Sequence, residues 1–273
     1  MMYTDSHSHT LPFSPDAKMS IDELIAKASC LGIPRVGITE HYEIDMVYPG
    51  DEVMLFDLDE YDKVFPEWQA KCPSGLSLLK GIEFGYQSHT ARAIDIVASC
   101  HDFDVVILSN HNFRGEDVYF SKIVYDIPLK ARHAEYIGIM AEMCEKITNF
   151  DIAAHYEYIN RYNPDTSAIV RYEDCPTEFD RFFEALIAKG KSLEINTSSV
   201  NSLISKNNSS PLPDPAIINR YREMGGSMIT LSSDAHRADA LGQHFDMTAE
   251  YLRSFGFTEN TYFIGHVPHT EPL

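Results

Sequence analysis

Thr4-Asp5-Ser6-His7-Ser8-His9-Thr10 follows a very short apolar start, Met1-Met2-Tyr3. It places two imidazoles two residues apart just where an extended segment is expected to end. Alternate residues of a strand point to the same face, so His7 and His9 aim at one spot, about 6–7 Å apart along the chain. That spacing suits chelation of one borderline-soft cation. The same residues also fit a polar turn with two solvated histidines. The choice rests on whether the remaining chain brings partners to matching places.

Downstream, Leu11-Pro12-Phe13-Ser14-Pro15-Asp16 reads as a loop stiffened by two prolines, with Asp16 as a turn carboxylate or a ligand. Ser20 is a helix cap, and Ile21, Leu24, Ile25 and Ala28 recur at helical spacing before Gly32. Arg35-Val36-Gly37-Ile38-Thr39 has the pattern of a buried strand running into Glu40-His41. The order then repeats. Helices are expected over 57–71 (interrupted by Pro66), 90–100, 129–148, 177–189, a stretch ending at Met224, and 239–254. Strands are expected over 76–82, leading to Glu83; over 104–109, leading to Asn110-His111; and over 151–154, leading to His155. Two more are Ser192 to Asn196, and Ser227 to Leu231 leading to Ser232-Ser233-Asp234-Ala235-His236. Tyr262-Phe263-Ile264-Gly265 is a candidate last strand. Strands alternating with helices imply parallel βα units. About seven such units without a composition break favour one closed α/β barrel over two domains. No GxGxxG follows the first strand, which weighs against dinucleotide binding.

Composition narrows the partners. The 273 residues are 44% hydrophobic, enough for one large core. Acidic residues exceed basic ones by 41 to 22, for a formal net charge of −19. Such a surface repels phosphate backbones and anionic lipid, so neither nucleic acid nor membrane is an expected partner. Five cysteines without a CxxC pair read as reduced, mostly packing thiols. With no signal-peptide pattern and no apolar run near the ~20 residues a membrane helix needs, a soluble cytoplasmic protein is expected.

Six of the twelve histidines (His7, His9, His41, His111, His155 and His236) fall where an expected strand hands over to its loop, as do Glu83 and Asp234. In a parallel barrel all strand C-termini lie on one face, where active sites are built. A single histidine there is usually a hydrogen-bonded polar residue. So many convergent ligand-type groups would be costly to bury without compensation, and multivalent cations compensate directly. Imidazole and carboxylate without thiolate suit Zn, Mn or Fe.

The ordered motifs Asp5-Ser-His-Ser-His-Thr10, Thr39-Glu40-His41, Gly81-Ile82-Glu83, Asn110-His111, Ala154-His155, Asn196-Thr197-Ser198 and Ser233-Asp234-Ala235-His236 resemble those of the polymerase-and-histidinol-phosphatase (PHP) superfamily. Length and the Asn-Thr-Ser segment are most similar to its histidinol-phosphate phosphatase branch. The resemblance runs from Asp5 to about Gly242. It implies a distorted seven-stranded, TIM-like (β/α) barrel, with residues 1–273 as one domain, holding three divalent metals. By position, His7, His9, Glu83 and Asp234 would hold the first. Glu83 would bridge to a second held by His111 and His155. Asp16, His41 and His236 would hold the third, with Asp16 standing where relatives often carry His or Glu. Arg161, six residues after His155, matches a basic position of the resembling phosphatases, and arginine suits bidentate phosphate contact. Relatives commonly carry a second basic residue soon after Asn-Thr-Ser. Here Asn201 stands in that place, with Lys206 and Arg237 as other sources of charge.

Clustered metals suit hydrolysis of a phosphate monoester by a hydroxide made between them, with the phosphoryl charge neutralised in place. The resemblance to the histidinol-phosphate phosphatase branch implies L-histidinol phosphate as the substrate, releasing L-histidinol and phosphate as in histidine biosynthesis. Asp234, His236 and Arg161 are the expected catalytic residues, and Arg161 also binds substrate. Glu43, Tyr86 and Tyr158 are candidates to receive the amine and imidazole of histidinol. The acidic run from Asp45 to Asp62 reads as a solvated loop and helix start. Rival readings are a PHP phosphoesterase acting on a nucleotide, an amidohydrolase-type barrel, and a non-catalytic metal-binding barrel. The amidohydrolase reading lacks its usual bridging lysine after the fourth strand, and structural zinc sites are usually closed and cysteine-rich.

Overall fold

Ser20 accepts a bond from the Glu23 amide while the Glu23 side chain returns one to the Ser20 amide, so a capping box starts α1 (Ile21–Leu31). Gly32, at φ +72°, ends it. The computed structural model describes residues 3–46, 48, 53–121 and 123–273. After α1 come β1 (Arg35–Tyr42), α2 (Leu58–Ala70), β2 (Ser77–Gly85), α3 (Ala91–Cys100) and β3 (Val105–Ser109). A small hairpin, β4 (Asn112–Phe113) and β5 (Glu116–Asp117), precedes α4 (Leu129–Lys146) and β6 (Ile152–Ala154). Then follow α5 (Pro176–Lys189), β7 (Ser192–Asn196), α6 (Thr197–Ser205), α7 (Pro215–Glu223), β8 (Ile229–Ser232), α8 (Phe245–Ser254), β9 (Glu259–Ile264) and β10 (Val267–Pro272).

The main sheet has six strands in the order β1-β2-β3-β6-β7-β8, all parallel. The seventh position of the expected barrel is filled differently. Asp5 bridges to Val36 of β1, and Ser8 bridges to Ala235 just past β8, so the N-terminal stretch lies between the sheet's two edges. It makes isolated bridges instead of a ladder partly because the Ser8 hydroxyl takes the Gly37 carbonyl, at 2.6 Å. Only glycine fits at 37, since a Cβ there would overlap the Ser6 carbonyl. The Asp5 carboxylate fastens this seam, accepting from the Ser233 amide (2.9 Å), the Ser233 hydroxyl (2.5 Å) and the Gly242 amide (3.0 Å). Burial pushes the Asp5 carboxyl up to about 6, against these bonds, which pull it down.

The last strand corrects an expectation too. Residues 262–264 belong to β9, which pairs antiparallel with β10 outside the main sheet. Phe263 of β9 packs with Val105, Ile107, Ile152 and Ala154 in a small cluster of its own. Their alternates on β3, Val106 and Leu108, belong to the main core with the helices. The two sides of β3 therefore face an inner plug and an outer helical layer, as period-two alternation requires. α2 continues through Pro66, and α6, unannounced by any apolar period, starts on an Asn196 side chain that caps Ser198 and Ser199. The expected 239–254 helix is split: Gly242 sits at φ +65°, and α8 begins only at Phe245. In the acidic run, Asp51 and Glu52 lie outside the described residues. Asp57 caps α2, and Asp62 pairs with Lys80 and His101 instead of standing free in solvent.

Candidate metal centre

Inward-facing positions of the strands carry the polar groups. His41 and Glu83 are register partners on β1 and β2, near the C-terminal ends of their strands instead of just beyond them. On β3 the next inward residue after Ile107 is Ser109, whose hydroxyl donates to Glu83 Oε1 at 2.5 Å. His155 and Asp234 follow β6 and β8 at φ +71° and +50°. Left-handed backbone in residues other than glycine is sparsely populated and persists where surrounding packing enforces it, often at functional sites.

The side chains converge. His7 Nε2 lies 3.1 Å from His9 Nε2 and 3.4 Å from Glu83 Oε1. Glu83 is also 3.3 Å from His111 Nε2, 2.8 Å from His155 Nε2 and 2.7 Å from His41 Nδ1. His41 Nε2 faces His236 Nε2 at 3.2 Å. Asp234 Oδ1 is 3.5 Å from His9 Nε2. Asp16 Oδ2 reaches His236 at 3.0 Å and His41 at 3.5 Å from a partly exposed position. Four triads have ligand atoms close enough to share one ion: His9, His41 and His236; His7, His155 and Asp234; His7, His9 and Glu83; His41, Glu83 and His111. His7, His9, His41 and Glu83 each serve two triads, and Asp16 stands outside all four.

These donors fit divalent cations on a structural criterion. At the centre, His41 Nδ1 and Glu83 Oε2 lie 2.7 Å apart without the alignment of a hydrogen bond, and neither they nor Asp234 Oδ1, all buried, find a hydrogen-bond partner among the described residues. Imidazole nitrogens facing one another at about hydrogen-bond distance cannot both offer a lone pair without a proton or cation between them. Buried polar atoms left in that state are costly.

Electrostatics follows the same layout. Burial alone would raise the Glu83 carboxyl, but His7, His111, His41 and His155 hold it well below the usual carboxylate range. Burial also opposes charge on His7, yet Glu83 and Glu194 outweigh it and raise the imidazole. His9 goes the other way, lowered by burial and by its neighbours His41 and His236. Burial would raise Asp234, and Arg161 is the first of the groups that instead bring it well below its ordinary value.

A supporting ring lies behind these groups, and sequence reading missed most of it. Glu194 Oε1 is 2.7 Å from His7 Nδ1, and its Oε2 is 3.3 Å from His155 Nδ1. Asn196 Nδ2 lies 3.1 Å from His155 Nδ1. Glu43 Oε1 is 2.6 Å from His111 Nδ1, so it orients a histidine instead of waiting for a substrate amine. Gly85 permits this, since a Cβ there would overlap the Glu43 carboxylate. Glu40, bonded to Thr10 and Ser14, holds the Ser14 hydroxyl that lies 3.3 Å from His9 Nδ1. Ser192, Glu194 and Asn196 alternate with Leu193 and Ile195, a period-two signal that marks Glu194 and Asn196 as inward-facing.

The centre opens into a cavity of about 420 Å³ lined by Asp16, Lys18, Asp117, Tyr158, Arg161 and Arg237 among others. Arg161 NH1 donates to Asp234 Oδ2 at 2.8 Å, and its Nε is buried without a partner among the described residues. Lys206 instead donates to the Arg161 carbonyl at 2.7 Å, Asn201 meets His244, and Arg237 pairs with Asp239. Tyr86 is buried against Glu142, away from the cavity.

The PHP domain family model matches residues 5–198. The chain belongs to the PHP domain family. A Clostridium acetobutylicum protein named "Probable histidinol-phosphatase" is 31% identical over 89% of this chain and 90% of its own length. The histidinol-phosphatase of Lactococcus lactis is 28% identical over 95% and 93%. A crystal structure of the Lactococcus lactis histidinol phosphate phosphatase, complexed with zinc, L-histidinol and phosphate, superposes with a TM-score of 0.82. That match covers 97% of this chain and 98% of the other at 25% identity. This chain carries several His/Asp/Glu clusters able to bind metal, and among its described residues no helix is long and apolar enough to cross a membrane.

Proposed function

We propose that this PHP protein is a metal-dependent phosphoric monoester hydrolase that converts L-histidinol phosphate to L-histidinol and phosphate. What carries the reading is likeness over nearly the whole chain to a protein crystallised with zinc, L-histidinol and phosphate, joined to a ligand cluster of matching chemistry. His7, His9, Glu83 and Asp234 would hold a first divalent ion, Glu83, His111 and His155 would hold a second, and Asp16, His41 and His236 a third, with zinc, manganese or iron fitting the donors. Such ions, when bound, supply Lewis acidity and a nucleophile at neutral pH.

The protein's own groups do the rest. Arg161, whose NH1 donates to Asp234 and whose NH2 donates to the Ser199 hydroxyl at 3.3 Å, lines the cavity as the cation that binds the phosphate dianion and fixes it for in-line displacement. Glu194, Glu43 and Asn196 hold the imidazoles of His7, His111 and His155 in one orientation. Asp234 and His236 belong to the ligand cluster and also line the open cavity, so the ester bond breaks beside them. The whole chain acts as one domain: a single apolar cluster draws residues from Tyr3 to Phe257, and Thr4 is bonded to Glu271 near the other terminus. The acidic surface favours a small substrate in the cytoplasm over nucleic acid.

The test is phosphate release from histidinol phosphate, nucleoside monophosphates and a phosphodiester, using enzyme loaded with Mn or Zn. Histidinol phosphate is expected to react far faster than the others. A nucleotide or diester cleaved as fast would overturn the substrate assignment.

A further inference from the structure

Resting on the phosphatase reading above, we propose that Asp117 is the specificity residue for the leaving group, receiving a cationic, ring-bearing alcohol while Arg161 receives the phosphate. Asp117 ends the β4–β5 hairpin and lines the same cavity as His111, His155 and Arg161. Its side chain is nearly enclosed, 8% exposed as a residue. Two hydrogen bonds reach its carboxylate, from the Tyr158 hydroxyl at 3.0 Å and the Tyr119 amide at 2.7 Å. Both end on Oδ1. Among the described residues no cationic side chain pairs with it, so a buried carboxylate faces the cavity with Oδ2 unclaimed. A phosphate would be repelled there, whereas a protonated amine or imidazolium would gain a charge-assisted bond.

The walls are aromatic. Tyr158 packs against His111 and His155 at centroid distances of 5.3 and 5.5 Å, and Tyr162 follows at 5.7 Å. Tyr119 continues the run at 4.9 Å, then Phe120 at 4.7 Å, with Tyr48 5.8 Å beyond. Tyr119 and Phe120 are 52% and 45% exposed. Aromatic faces attract cations and stack on flat rings. Tyr158 joins the two ends of the site. Arg161 lies over its ring at 4.9 Å, while its hydroxyl holds Asp117. One tyrosine therefore separates an anion-binding end from a cation-binding end. The ligand class this selects is a phosphate monoester whose alcohol carries a positive, planar or small basic group.

The experiment compares metal-loaded wild-type and Asp117→Asn enzymes on histidinol phosphate and on 3-phenylpropyl phosphate, a monoester whose alcohol carries a ring of similar size and no positive charge. Asparagine keeps an Oδ1 acceptor for Tyr158 and Tyr119, and matching melting curves verify the fold. The expected result is a rise in KM for histidinol phosphate of about 10- to 100-fold, with kcat within about threefold and the phenylpropyl ester unaffected. Equal losses on both esters, or no loss on either, would overturn the assignment. A wild-type enzyme indifferent between the two esters would sink the histidinol reading alone. Phosphoethanolamine against propyl phosphate then decides: a wild-type preference for the amine that Asp117→Asn abolishes upholds the role of Asp117, and no such preference refutes it.

Discussion

Glu194 lies between two imidazoles, with Oε1 2.7 Å from His7 Nδ1 and Oε2 3.3 Å from His155 Nδ1. One carboxylate on β7 thereby sets the ring orientation of residues that come from the N-terminal seam and from the end of β6. Burial would raise its carboxyl, and the two imidazoles instead bring it below the ordinary value. Glu194→Gln keeps the shape and removes the charge. It should weaken divalent-metal affinity about 10- to 100-fold, measured by competition with a chelating dye. Unchanged affinity would reduce Glu194 to a packing residue.

His111→Ala removes a ligand from the cluster and Asp234→Asn removes a ligand's charge, neither touching the apolar core. Turnover of histidinol phosphate should fall at least roughly 10²- to 10³-fold in both, while far-UV circular dichroism stays that of the parent. Full activity in both would refute the placement of the reacting bond.

Arg161→Ala removes the guanidinium that Asp234 holds at 2.8 Å. KM for histidinol phosphate should rise about tenfold or more, with a smaller fall in kcat. An unchanged KM would return Arg161 to a structural partner of Asp234.

Far from the centre, His266 Nδ1 lies 2.9 Å from Asp151 Oδ2. The bond to Asp151 raises the imidazole above its ordinary value, against a smaller effect of burial. A group with a raised folded-state pKa contributes fully below its unfolded value, near 6.5, and loses the contribution as pH rises through the folded value. His266→Gln should therefore cost about 1 kcal/mol or less at pH 5.5 and almost nothing at pH 9, read from denaturant midpoints. An equal loss at both pH values would contradict the charged pair.

Much of this architecture is legible in the sequence because period and punctuation agree. Ser20 and Gly32 bound α1, and the apolar runs before His41, Asn110 and Asp234 lie in the parallel sheet. The convergence of Glu83 and Asp234 follows from their places at or near the C-terminal ends of parallel strands, and His7 and His9 join them through their spacing of two. What was not legible depends on contacts between distant residues. Thr4 to Thr10 looks like a strand, yet the side chains of Asp5 and Ser8 take over bonds that a ladder would use. Residues 262–264 have strand composition, but their partner is β10 and not the barrel. Glu43 reads as a mouth residue until Gly85 lets it reach His111. Asp117 carries no local signal, since only the fold brings its short hairpin beside Tyr158.

His7, His9, His41, Glu83, His111, His155, Asp234 and His236, with Asp16 at the edge, are expected to surround divalent cations. Crystals grown with manganese or zinc, measured across the metal's absorption edge, decide this. Anomalous peaks should lie within about 2.0–2.3 Å of those nitrogen and oxygen atoms. A map with no anomalous peak among them, at full metal in the mother liquor, would contradict the account.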